Sequence, residues 1–585
     1  MKPSDEQQNV IEAQGKIIVL APPGSGKTYT LCEKAKYYKQ NTRKKMIILT
    51  FSNKAAEEIN NRIENKENIF VGTIHSFAQH LVSSRGHLIG VAPDFTIVSE
   101  EKEKEIILKE IIRDSEYLST HMAKYINGEE DIKKPIDYIR RQKLKFLVPD
   151  DLLNNKNEYS ELYFELFNAY FKKMNDYNLI DFDDLLYYAH KILSLDSTKN
   201  MIKNAYYSLF VDEAQDLNSS QYEIIRLLSN NINEVMLIGD PEQSLYGFMN
   251  SSSKFMEKTF VEDFDAIIYK FKNNYRSSKA IVNLLNKITS EQKSLNIYPI
   301  DGILKYNLYK DEVEEAKNVV ELIKQAKNEY GENEIAVLGR NRFVFKYIIE
   351  QLEEKDIEYN TGYLTKVEFE TTYVSLLFLL TRYFRNEKDP SVEREIAEYL
   401  DTEKFSLDIV DKNLVNICKN DDFRKYKNSI INLKDSLIEK LEDKSDEEAL
   451  FLINELDLYI SCMEIYNRSQ TDSEKTVLGF VNDFLMGKTI NYSTNGVSLL
   501  TIHKSKGLEF KVVFFVGLNE GTLPDYRAND SKKIEEEKNN AFVGFSRAKI
   551  ELYLSSVKYK MMPWGSTKYV SESRFLKQVK ELLNI

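Results

Sequence analysis

The sequence is poor in the residues that mark secreted, zinc-binding and membrane-spanning proteins. It has only three cysteines, Cys32, Cys418 and Cys462, and none belongs to a CxxC pair, which excludes a disulfide framework or a zinc module as a dominant feature. No stretch approaches the roughly 18 uninterrupted apolar residues of a membrane helix. The polar start MKPSDEQQ does not have the pattern of a signal peptide, so we expect a cytoplasmic protein.

An excess of positive charge is absent as well. The formal net charge is −12, whereas a domain that binds nucleic acid by bulk electrostatics is usually basic. A local basic groove within an acidic body is still compatible with this balance, because phosphate contacts depend on where lysines and arginines lie. The length of 585 residues, with 42% hydrophobic and 29% charged residues, indicates a globular chain of roughly three to five domains.

What the chain does contain is a series of short, β-rich apolar runs. Most of them are followed by a turn and then by a segment of helical period, which is typical of parallel α/β sheets. The predicted strands are Ile17–Leu20, Met46–Leu49, Ser208–Val211, Val235–Ile238, Ile335–Leu338, Val497–Ile502 and Val512–Val516.

These runs form two clusters, which predict an α/β protein with two parallel-sheet domains. Long helical, strand-poor stretches lie within each cluster and predict one helical insertion per domain. The predicted segments are 1–95 and 191–272 for the first α/β domain, 96–190 for its insertion, 273–375 and 486–585 for the second α/β domain, and 376–485 for its insertion.

The stretch IIVLAPPGSGKTYTL predicts a triphosphate site. In a P-loop the backbone N–H groups face the phosphates at the start of a helix, a lysine adds charge, and a hydroxyl binds magnesium. Gly24, Gly26, Lys27 and Thr28 stand in that order, while Ala21 replaces the usual first glycine. A glycine-rich turn with a chance lysine is the alternative, and the strand-like run before it argues against that interpretation.

The stretch SLFVDEAQD supplies the acidic half of such a site. Asp212, at the carboxyl end of a predicted strand, is positioned to hold magnesium, and Glu213 to orient and deprotonate an attacking water. An acidic turn is the structural alternative. Together the two stretches predict an ATPase, but a kinase, a transporter and a switch share them.

Further motifs resemble, in order and over nearly the whole chain, the UvrD/PcrA/Rep family of superfamily 1A DNA helicases. They are SDEQQNVI, LTFSNKAAEEI, VGTIHSFA, LIDFDDLL, VDEAQD, LIGDPEQSLYGF, NNYRSS, TIHKSKGLEFKVVFFVGLNEGTLP and NAFVGFSRAK. The resemblance implies two RecA-like domains, ATP and Mg²⁺ as cofactors, and single-stranded DNA and its junctions with duplex as partners.

The resemblance also implies the residues of the ATP site. Those expected to act on the phosphates are Lys27, Asp212, Glu213, Gln243, Arg276 and Arg547. Those expected to contact the nucleotide are Gln7, Ala21, Pro22, Pro23, Gly24, Ser25, Gly26, Lys27, Thr28, Tyr29, Tyr275, Arg276, Gly507, Glu509 and Arg547, with Thr28 and Asp212 on the metal. An arginine that reaches the phosphate from a neighbouring domain can be worth about 10³–10⁵ in rate, which makes hydrolysis depend on closure of the two domains.

Residues that would contact DNA follow from the same resemblance. Aromatic faces hold bases without sequence preference, each worth about 1–3 kcal/mol. The expected contacts are Thr50, Phe51, Asn53, His75, Tyr246, Phe248 and His503. For any one aromatic a place in the core is the alternative, and for either histidine a structural role.

The chain departs from the family pattern at three places. Tyr29 replaces the arginine that commonly follows the P-loop threonine, and GFMNSSS replaces a tryptophan followed by Arg-Gly-Ala. The second insertion, about 110 residues over 376–485, is shorter than usual, which favours translocation over duplex separation.

We therefore expect an ATP- and Mg²⁺-dependent translocase or helicase that moves 3′→5′ on single-stranded DNA. It would displace a strand or a bound protein in DNA repair, recombination or phage defence. The alternative is a DNA-sensing ATPase subunit that regulates a separate nuclease protein. A small-molecule kinase or a simple P-loop switch accounts for neither the paired arginines nor the second α/β domain.

Overall fold

The computed structural model describes residues 2–64, 67–147, 158–244, 253–289, 294–361, 369–440, 447–469, 475–490, 495–561 and 567–585. Its strands are β1 Lys16–Leu20, β2 Lys45–Thr50, β3 Ile69–Thr73, β4 Thr96–Val98, β5 Leu179–Asp181, β6 Tyr206–Val211, β7 Glu234–Gly239, β8 Ile267–Lys270, β9 Asn273–Asn274, β10 Leu295–Asn296, β11 Ile303–Asp311, β12 Ile335–Gly339, β13 Tyr359–Asn360, β14 Val497–Thr501, β15 Phe510–Phe515, β16 Ala548–Met561 and β17 Thr567–Tyr569.

Helices connect most of these strands and fill the two long intervals between them. They are α1 Asp5–Glu12, α2 Lys27–Asn41, α3 Asn53–Arg62, α4 Ile74–Arg85, α5 Glu101–Asp114, α6 Glu116–Ile126, α7 Lys133–Lys143, α8 Glu158–Asp176, α9 Phe182–Ser194, α10 Asp196–Ala205, α11 Ser219–Ser229, α12 Phe260–Phe264, α13 Lys279–Ile288, α14 Glu312–Tyr330, α15 Lys346–Glu354, α16 Thr372–Arg385, α17 Pro390–Tyr399, α18 Lys412–Cys418, α19 Phe423–Lys440, α20 Glu447–Ser469, α21 Val477–Leu485, α22 Ile502–Ser505, α23 Ser531–Phe545 and α24 Lys577–Leu583. None of the helices in the described ranges is long and apolar enough to cross a membrane.

The first sheet is parallel throughout, in the order β3-β2-β6-β7-β1-β8. Its inner strands are apolar and buried over most of their length after a charged first residue, as is typical of parallel sheets. The carboxyl ends of parallel strands meet at one edge. The segments that follow β1, β2, β6 and β7 therefore share that edge, and they carry the P-loop and the acidic motif.

The second sheet has the order β11-β16-β15-β12-β14-β13, again parallel, with β17 antiparallel on the end of β16. Separate clusters of buried apolar side chains line its two faces. The prediction of an α/β protein with two parallel-sheet domains and mainly helical insertions is confirmed.

All seven predicted runs fall on strands, with small differences at the ends. The run Val497–Ile502 ends as a strand at Thr501, because Ile502 begins α22, and β15 covers Phe510–Phe515. Sequence analysis missed several strands, including β8 and β11 at sheet edges. Strand β8 has only four residues and leaves Ile267 and Ile268 exposed, and in β11 polar residues interrupt the apolar ones.

The chain forms two compact units. One consists of Met1–Thr73, Asn200–Tyr363 and Tyr492–Ile585 and contains both large sheets; the other consists of Ile74–Lys199 and Leu364–Asn491 and contains the helical insertions. The helical unit begins at residue 74, and within it α4 packs along α9. That contact joins segments about 100 residues apart, which no local pattern reports. The six-segment division stays a prediction.

Within the helical unit the two insertions are joined by buried polar groups. The Asn482 side chain donates to the Phe95 carbonyl at 2.9 Å and accepts from the Ile97 N–H at 3.1 Å, so a helix of the second insertion is fixed to the start of β4. Arg382 of α16 pairs with Glu103 of α5 at 2.5 Å, and both side chains are buried.

The motif LIDFDDLL has a structural role in the same unit. Asp181 caps the start of α9 by accepting from the Asp184 N–H at 2.8 Å. Buried Lys143 lies 3.0 Å from the Asp181 carboxylate and 2.7 Å from that of Asp184. The motif therefore ties α9 to α7 within the first insertion.

Candidate nucleotide site and DNA-contact residues

The P-loop joins β1 to α2 at the carboxyl edge of the first sheet. Helix α2 begins after Gly26, which is left-handed (φ +84°) and provides no side-chain cap, and the first turn has no acidic residue. The first N–H groups of α2 are therefore available to bind an anion. Lys27 Nζ donates to the Ala21 carbonyl at 3.1 Å, and Ser25 Oγ donates to the Pro22 carbonyl at 2.7 Å, which holds the turn closed on itself.

The P-loop keeps a conformation that fits a triphosphate because two of its glycines, Gly24 and Gly26, stand where no side chain can be accommodated. A Cβ at Gly24 (φ +73°) would lie 2.8 Å from side-chain atoms of Asn274 and Arg276, and one at Gly26 would lie 2.5 Å from Gln7 Nε2. Such crowding and the left-handed backbone both exclude a side chain. The loop is thus packed from behind by two other segments, and its backbone is fixed in place.

One of those segments is α1, which carries Gln7. The Gln7 amide accepts from the Ser4 N–H at 3.1 Å in a capping box and donates to the Ser25 carbonyl at 3.1 Å. Only 5% of the residue is exposed. In this structure Gln7 links the start of α1 to the P-loop; its predicted contact with the adenine edge stays a prediction.

Asp212 and Glu213 follow β6 and have opposite electrostatic environments. Burial and the neighbouring Glu213 charge raise the pKa of Asp212 to about 7. Burial would raise the pKa of Glu213 too, but Lys27, Lys506 and a hydrogen bond from Gln215 outweigh it and lower that pKa. Glu213 also has a left-handed backbone (φ +51°), which is uncommon for a residue with a Cβ and is found at functional sites.

A chain of hydrogen bonds runs from this carboxylate to the second α/β domain. Glu213 Oε2 accepts from Gln215 Nε2 at 2.5 Å, and Gln215 Oε1 accepts from the Asp240 N–H at 3.0 Å. Asp240 Oδ2 accepts from Gln243 Nε2 at 2.6 Å. Gln243 Oε1 in turn accepts from Arg547 Nη2 at 2.8 Å. The predicted sensor and one predicted arginine therefore meet.

Arg547 is a buried cation whose partners are neutral. It is 2% exposed and donates to the Val543 and Leu508 carbonyls at 3.0 and 3.1 Å, besides Gln243 and Ser546. No carboxylate pairs with it within the described residues. Burial and nearby Arg276 lower its pKa to about 10. A buried guanidinium without a paired anion fits an anionic ligand.

Arg276 lies in a second loop that covers the P-loop. Asn274, fully buried, donates from Nδ2 to the Pro23 carbonyl at 2.8 Å and accepts from the Arg276 N–H at 3.0 Å. The Tyr275 N–H donates to the Gly24 carbonyl at 2.9 Å. Arg276 Nε lies 2.5 Å from Glu509 Oε2. The two predicted residues Arg276 and Glu509 thus form an ion pair beside the loop.

The segment between α22 and β15 adds a lysine to this junction. Lys506 pairs with the Asp216 carboxylate and donates to the Gln243 carbonyl at 2.9 Å. Gly507 follows with a left-handed backbone (φ +77°), and Glu509 also pairs with Lys549 at 2.9 Å. Burial would raise the pKa of Glu509, but Arg276 and Lys549 keep it lowered.

A metal at this site would need oxygen ligands from the nucleotide itself. No group of three or more His, Cys, Asp or Glu side chains with metal-binding geometry occurs in the described parts of the chain. Mg²⁺ commonly uses one or two protein oxygens together with phosphates and water. Asp212 and the half-buried Thr28, the two predicted ligands, suit that mode. Tyr29 follows them, half-buried, and burial and Glu33 raise its pKa.

The predicted DNA contacts that the structure describes lie on several separate elements. Thr50 is 2% exposed at the end of β2, and its hydroxyl has no hydrogen-bond partner in the described structure; Phe51 and Asn53 follow it, both half-buried. His75 belongs to the helical unit, packs edge-on against Phe182, and has its pKa lowered to about 4 by burial.

The other predicted DNA contacts are His503, Tyr246 and Phe248. His503 lies in α22 of the unit that contains both sheets, and burial and Arg340 lower its pKa to about 4. Tyr246 and Phe248 lie outside the described residues. The roles of all seven predicted contacts stay predictions.

Sequence analysis missed three residues that organise the site: Asn274, Gln215 and Asp240. Each stands within a motif that was recognised, next to a residue with an expected role. Their side chains make hydrogen bonds to residues 2 to 251 positions away. The sequence showed the motifs, but the roles of these three residues follow only from the residues to which they are hydrogen-bonded in the structure.

A P-loop on one parallel sheet, together with a buried arginine from a second, defines a two-domain P-loop ATPase. Comparison with known proteins gives the family. The model of the UvrD/REP helicase N-terminal domain matches residues 3–265, and that of the UvrD-like helicase C-terminal domain matches residues 269–419 and 401–559. The chain belongs to the UvrD-like helicases and is an ATP-dependent DNA helicase.

Curated relatives are similar over nearly their whole length. The ATP-dependent DNA helicase PcrA of Staphylococcus epidermidis is 25% identical, over 99% of this chain and 86% of the relative. The ATP-dependent DNA helicase Rep of Buchnera aphidicola subsp. Acyrthosiphon pisum is 27% identical, over 97% of each chain. The PcrA helicase of Staphylococcus aureus is 24% identical over 99% of this chain.

Proposed function

We propose that this helicase translocates 3′→5′ along single-stranded DNA, coupling ATP hydrolysis to displacement of a complementary strand or a bound protein. The observation that carries the proposal is the buried Arg547 guanidinium. It comes from the second α/β domain, lacks a carboxylate partner in the described structure, and is hydrogen-bonded through Gln243 to the segment that leads to Glu213. A charge held in this way makes hydrolysis depend on both domains.

The P-loop backbone from Ala21 to Gly26 and Lys27 would hold the triphosphate, and Thr28 and Asp212 would hold Mg²⁺. Bound together, ATP and Mg²⁺ supply the reactive phosphoryl group and neutralise charge that develops on it. The residues present fit this cofactor because the loop admits only glycine at two positions and the buried cation opposite has neutral partners.

Each polar side chain then has a definite task. Glu213, whose pKa is lowered, is ionised at neutral pH and would orient the attacking water and accept its proton. Arg276, held by Glu509, and Arg547, held by Gln243, would stabilise the transition-state charge. Because the cations come from the second domain, opening of the two domains would separate them from the carboxylate and stop hydrolysis.

The grip on the strand would come from aromatic side chains on which bases stack. Phe51, Tyr246 and Phe248 are proposed for this role by resemblance to the family. Alternating grips by the two domains, in step with closure and reopening, would convert the ATPase cycle into movement along DNA. The polarity is likewise proposed from the family resemblance alone.

The substitution Lys27→Ala tests the ATPase site. Lys27 donates a hydrogen bond to the Ala21 carbonyl, within the P-loop itself, so we expect its loss to leave the fold intact. We expect ATP hydrolysis stimulated by single-stranded DNA to fall to background while the melting temperature stays near that of the wild type. Lys36→Ala, a surface change on the same helix, is the matched control and should retain stimulation. Undiminished turnover by the Lys27 variant would refute the assignment.

The alternative function, a regulatory ATPase that commands a separate nuclease protein, stays a prediction. The shortened second insertion is the feature that favours it, because strand separation then matters less than DNA sensing. The two functions differ in product: a motor separates a tailed duplex by itself, whereas a sensor hydrolyses ATP on DNA without separating strands. A nuclease gene beside this one would favour the alternative.

A further inference from the structure

A lysine is buried between the first two helices of the chain. Lys34 lies in α2 and is 2% exposed, and Tyr38, one turn further along the same helix, is 2% exposed as well. Burying an ammonium group is costly unless neighbouring groups satisfy its charge and its N–H donors. The groups that Lys34 binds therefore indicate its role, which was not recognised from the sequence.

The Lys34 ammonium makes three hydrogen bonds to the carboxyl end of α1. Nζ donates to the backbone carbonyls of Val10 at 2.8 Å, Ile11 at 3.3 Å and Ala13 at 2.5 Å. Helix α1 ends at Glu12 and has no basic residue in its last turn. The last carbonyls of a helix lack partners within the helix and carry partial negative charge, so a cation beside them is stabilising. For α1 that cation comes from α2.

Tyr38 and Glu234 hold the turn that leads from α1 into β1. The Tyr38 hydroxyl donates to Glu234 Oε2 at 2.6 Å and lies 2.8 Å from the Ala13 carbonyl oxygen. The same carboxylate oxygen accepts from the Gly15 N–H at 2.9 Å. Burial lowers the pKa of Lys34 to about 8, against the opposing effect of Glu234, so the amine is still protonated at pH 7. The end of α1 is thus bound by a charged group.

Helix α1 in turn supports the P-loop. It has eight residues, which is too short for a helix to be stable alone, and it packs along α2. Near its start, Gln7 Nε2 donates to the Ser25 carbonyl at 3.1 Å. Glu6 Oε2 accepts from the Lys272 N–H at 2.9 Å. This Glu6 contact is exposed, whereas the contact at the other end of α1, through Lys34, is buried.

We propose that Lys34 is a positioning residue of the nucleotide site. By binding the carboxyl end of α1 it holds Gln7 against the P-loop, and so keeps the loop in the conformation that accepts the triphosphate. The inference rests on the proposed function, in which the P-loop backbone and Lys27 hold ATP. Apolar packing is not a sufficient account, because Val10 and Ile11 can be buried without a cation, whereas the carbonyls at the helix end need a donor.

A positioning role predicts weaker use of ATP when the charge of Lys34 is removed. The test measures KM and kcat for ATP hydrolysis by the full-length protein at saturating single-stranded DNA. We expect Lys34→Met, which keeps the bulk of the side chain, to raise KM about tenfold with a smaller change in kcat. Lys34→Arg should stay within about twofold of wild type, because a guanidinium can donate to the same carbonyls. Glu6→Gln, at the exposed end of α1, should raise KM less than Lys34→Met does.

A double variant distinguishes positioning from a general loss of structure. Gln7→Ala alone should raise KM, and adding Lys34→Met should raise it by less than about twofold more, because both changes break the same connection. Lys36→Ala, an exposed change on α2 that removes a partner of Glu33, is the matched control and should leave KM unchanged. Effects of the two variants that multiply, or an unchanged KM in Lys34→Met, would overturn the proposal.

Melting temperatures establish which variants are folded. If Lys34→Met does not fold, Tyr38→Phe replaces it, since that change removes one hydroxyl from the same group of contacts. We then expect KM to rise about threefold and the effect to disappear in the Gln7→Ala background; an unchanged KM would again overturn the proposal. Failure of the proposed function is distinguishable, because then the wild-type protein itself would show no DNA-stimulated hydrolysis.

Discussion

At the scale of single residues, Asp212 and Glu213 show how position alone separates two adjacent carboxylates. Asp212 is buried and Glu213 is half-buried, yet Glu213 faces Lys27, Lys506 and the Gln215 amide, whereas the charge that acts most strongly on Asp212 is that of Glu213. Opposed pKa values in a pair of acids identify different chemical tasks. Asp212 suits a cation ligand, and Glu213 suits an ionised acceptor of protons.

The raised pKa of Asp212 predicts a pH-dependent gain in stability for Asp212→Asn. The pKa of this group is about 7 in the folded chain against a reference value of 3.8. Between these values the folded state binds the proton more tightly, so wild-type stability falls as pH rises from about 4 to 7 and stays low above it. Asparagine does not ionise, so the variant avoids this loss of stability at higher pH. In nucleotide-free, magnesium-free buffer, the melting temperature of the variant should exceed that of the wild type, and by more at pH 8 than at pH 5.

The same variant should have lost DNA-stimulated hydrolysis. Asp301→Asn is the control, because the Asp301 side chain is 95% exposed. A difference in melting temperature that shrinks as the pH rises would contradict the electrostatic account of Asp212.

The buried arginine gives a second prediction at this scale. Removing a guanidinium that stabilises the transition state should lower kcat by about 10³-fold or more at saturating ATP and DNA, with a smaller change in KM. We expect this for Arg547→Ala and, at a more exposed position, for Arg276→Ala, which keeps the test valid if the buried variant unfolds. Arg574→Ala, which removes an exposed partner of Glu520, is the control. Loss of less than tenfold in both variants would exclude the proposed role.

At the scale of elements, the helical unit depends on buried polar contacts between segments far apart in sequence. The Asn482 side chain makes the hydrogen bonds to β4 that a neighbouring strand would make. It donates to the backbone carbonyl before Thr96 and accepts from the backbone N–H after it. Arg382, Glu103 and Asp389 form a buried ionic group in which Arg382 lies 2.5 Å from Glu103 and 3.8 Å from Asp389. Removing one member of such a group destabilises the folded protein, because the charges of the other members then stay buried without a partner.

We therefore expect Asn482→Ala to weaken the helical unit. It leaves one backbone N–H and one carbonyl buried without these partners, at a cost of roughly 2–4 kcal/mol in the free energy of unfolding. Thermal unfolding should show a lower melting temperature, and hydrogen exchange should increase at the β4 amides. Asn127→Ala, an exposed change in the same unit, should leave both measurements near wild type. An unchanged β4 exchange rate would contradict this reading of Asn482.

At the scale of the whole molecule, the proposed direction of movement can be tested with tailed duplexes. A motor that moves 3′→5′ loads on a 3′ tail and displaces the strand ahead of it. We expect ATP-dependent separation of a 3′-tailed duplex and little separation of a 5′-tailed one, measured by release of a labelled strand. The Lys27→Ala protein is the control for each substrate. Preference for the 5′ tail would overturn the polarity but leave the ATPase assignment intact.

Sequence analysis recovered features that depend on neighbouring residues. Apolar runs located the inner strands, because a strand covered on both faces needs apolar side chains throughout. Motif spacing located the P-loop and the Asp212–Glu213 pair, because a turn between a strand and a helix is a local structure. The edge strands β8 and β11 were missed: β8 has only four residues, and polar residues interrupt the apolar ones of β11.

The sequence by itself thus determined the family and the two-sheet class, and it predicted the residues of a nucleotide site. Only the tertiary structure decided which distant groups meet: Arg547 with Gln243, 304 positions apart, and Asn274 with the P-loop, 251 positions apart. It also decided that α4 belongs to the helical unit and that Lys34 is buried against the end of α1. Local conformation follows from neighbouring residues, whereas long-range pairing and exposure depend on the packing of the entire chain.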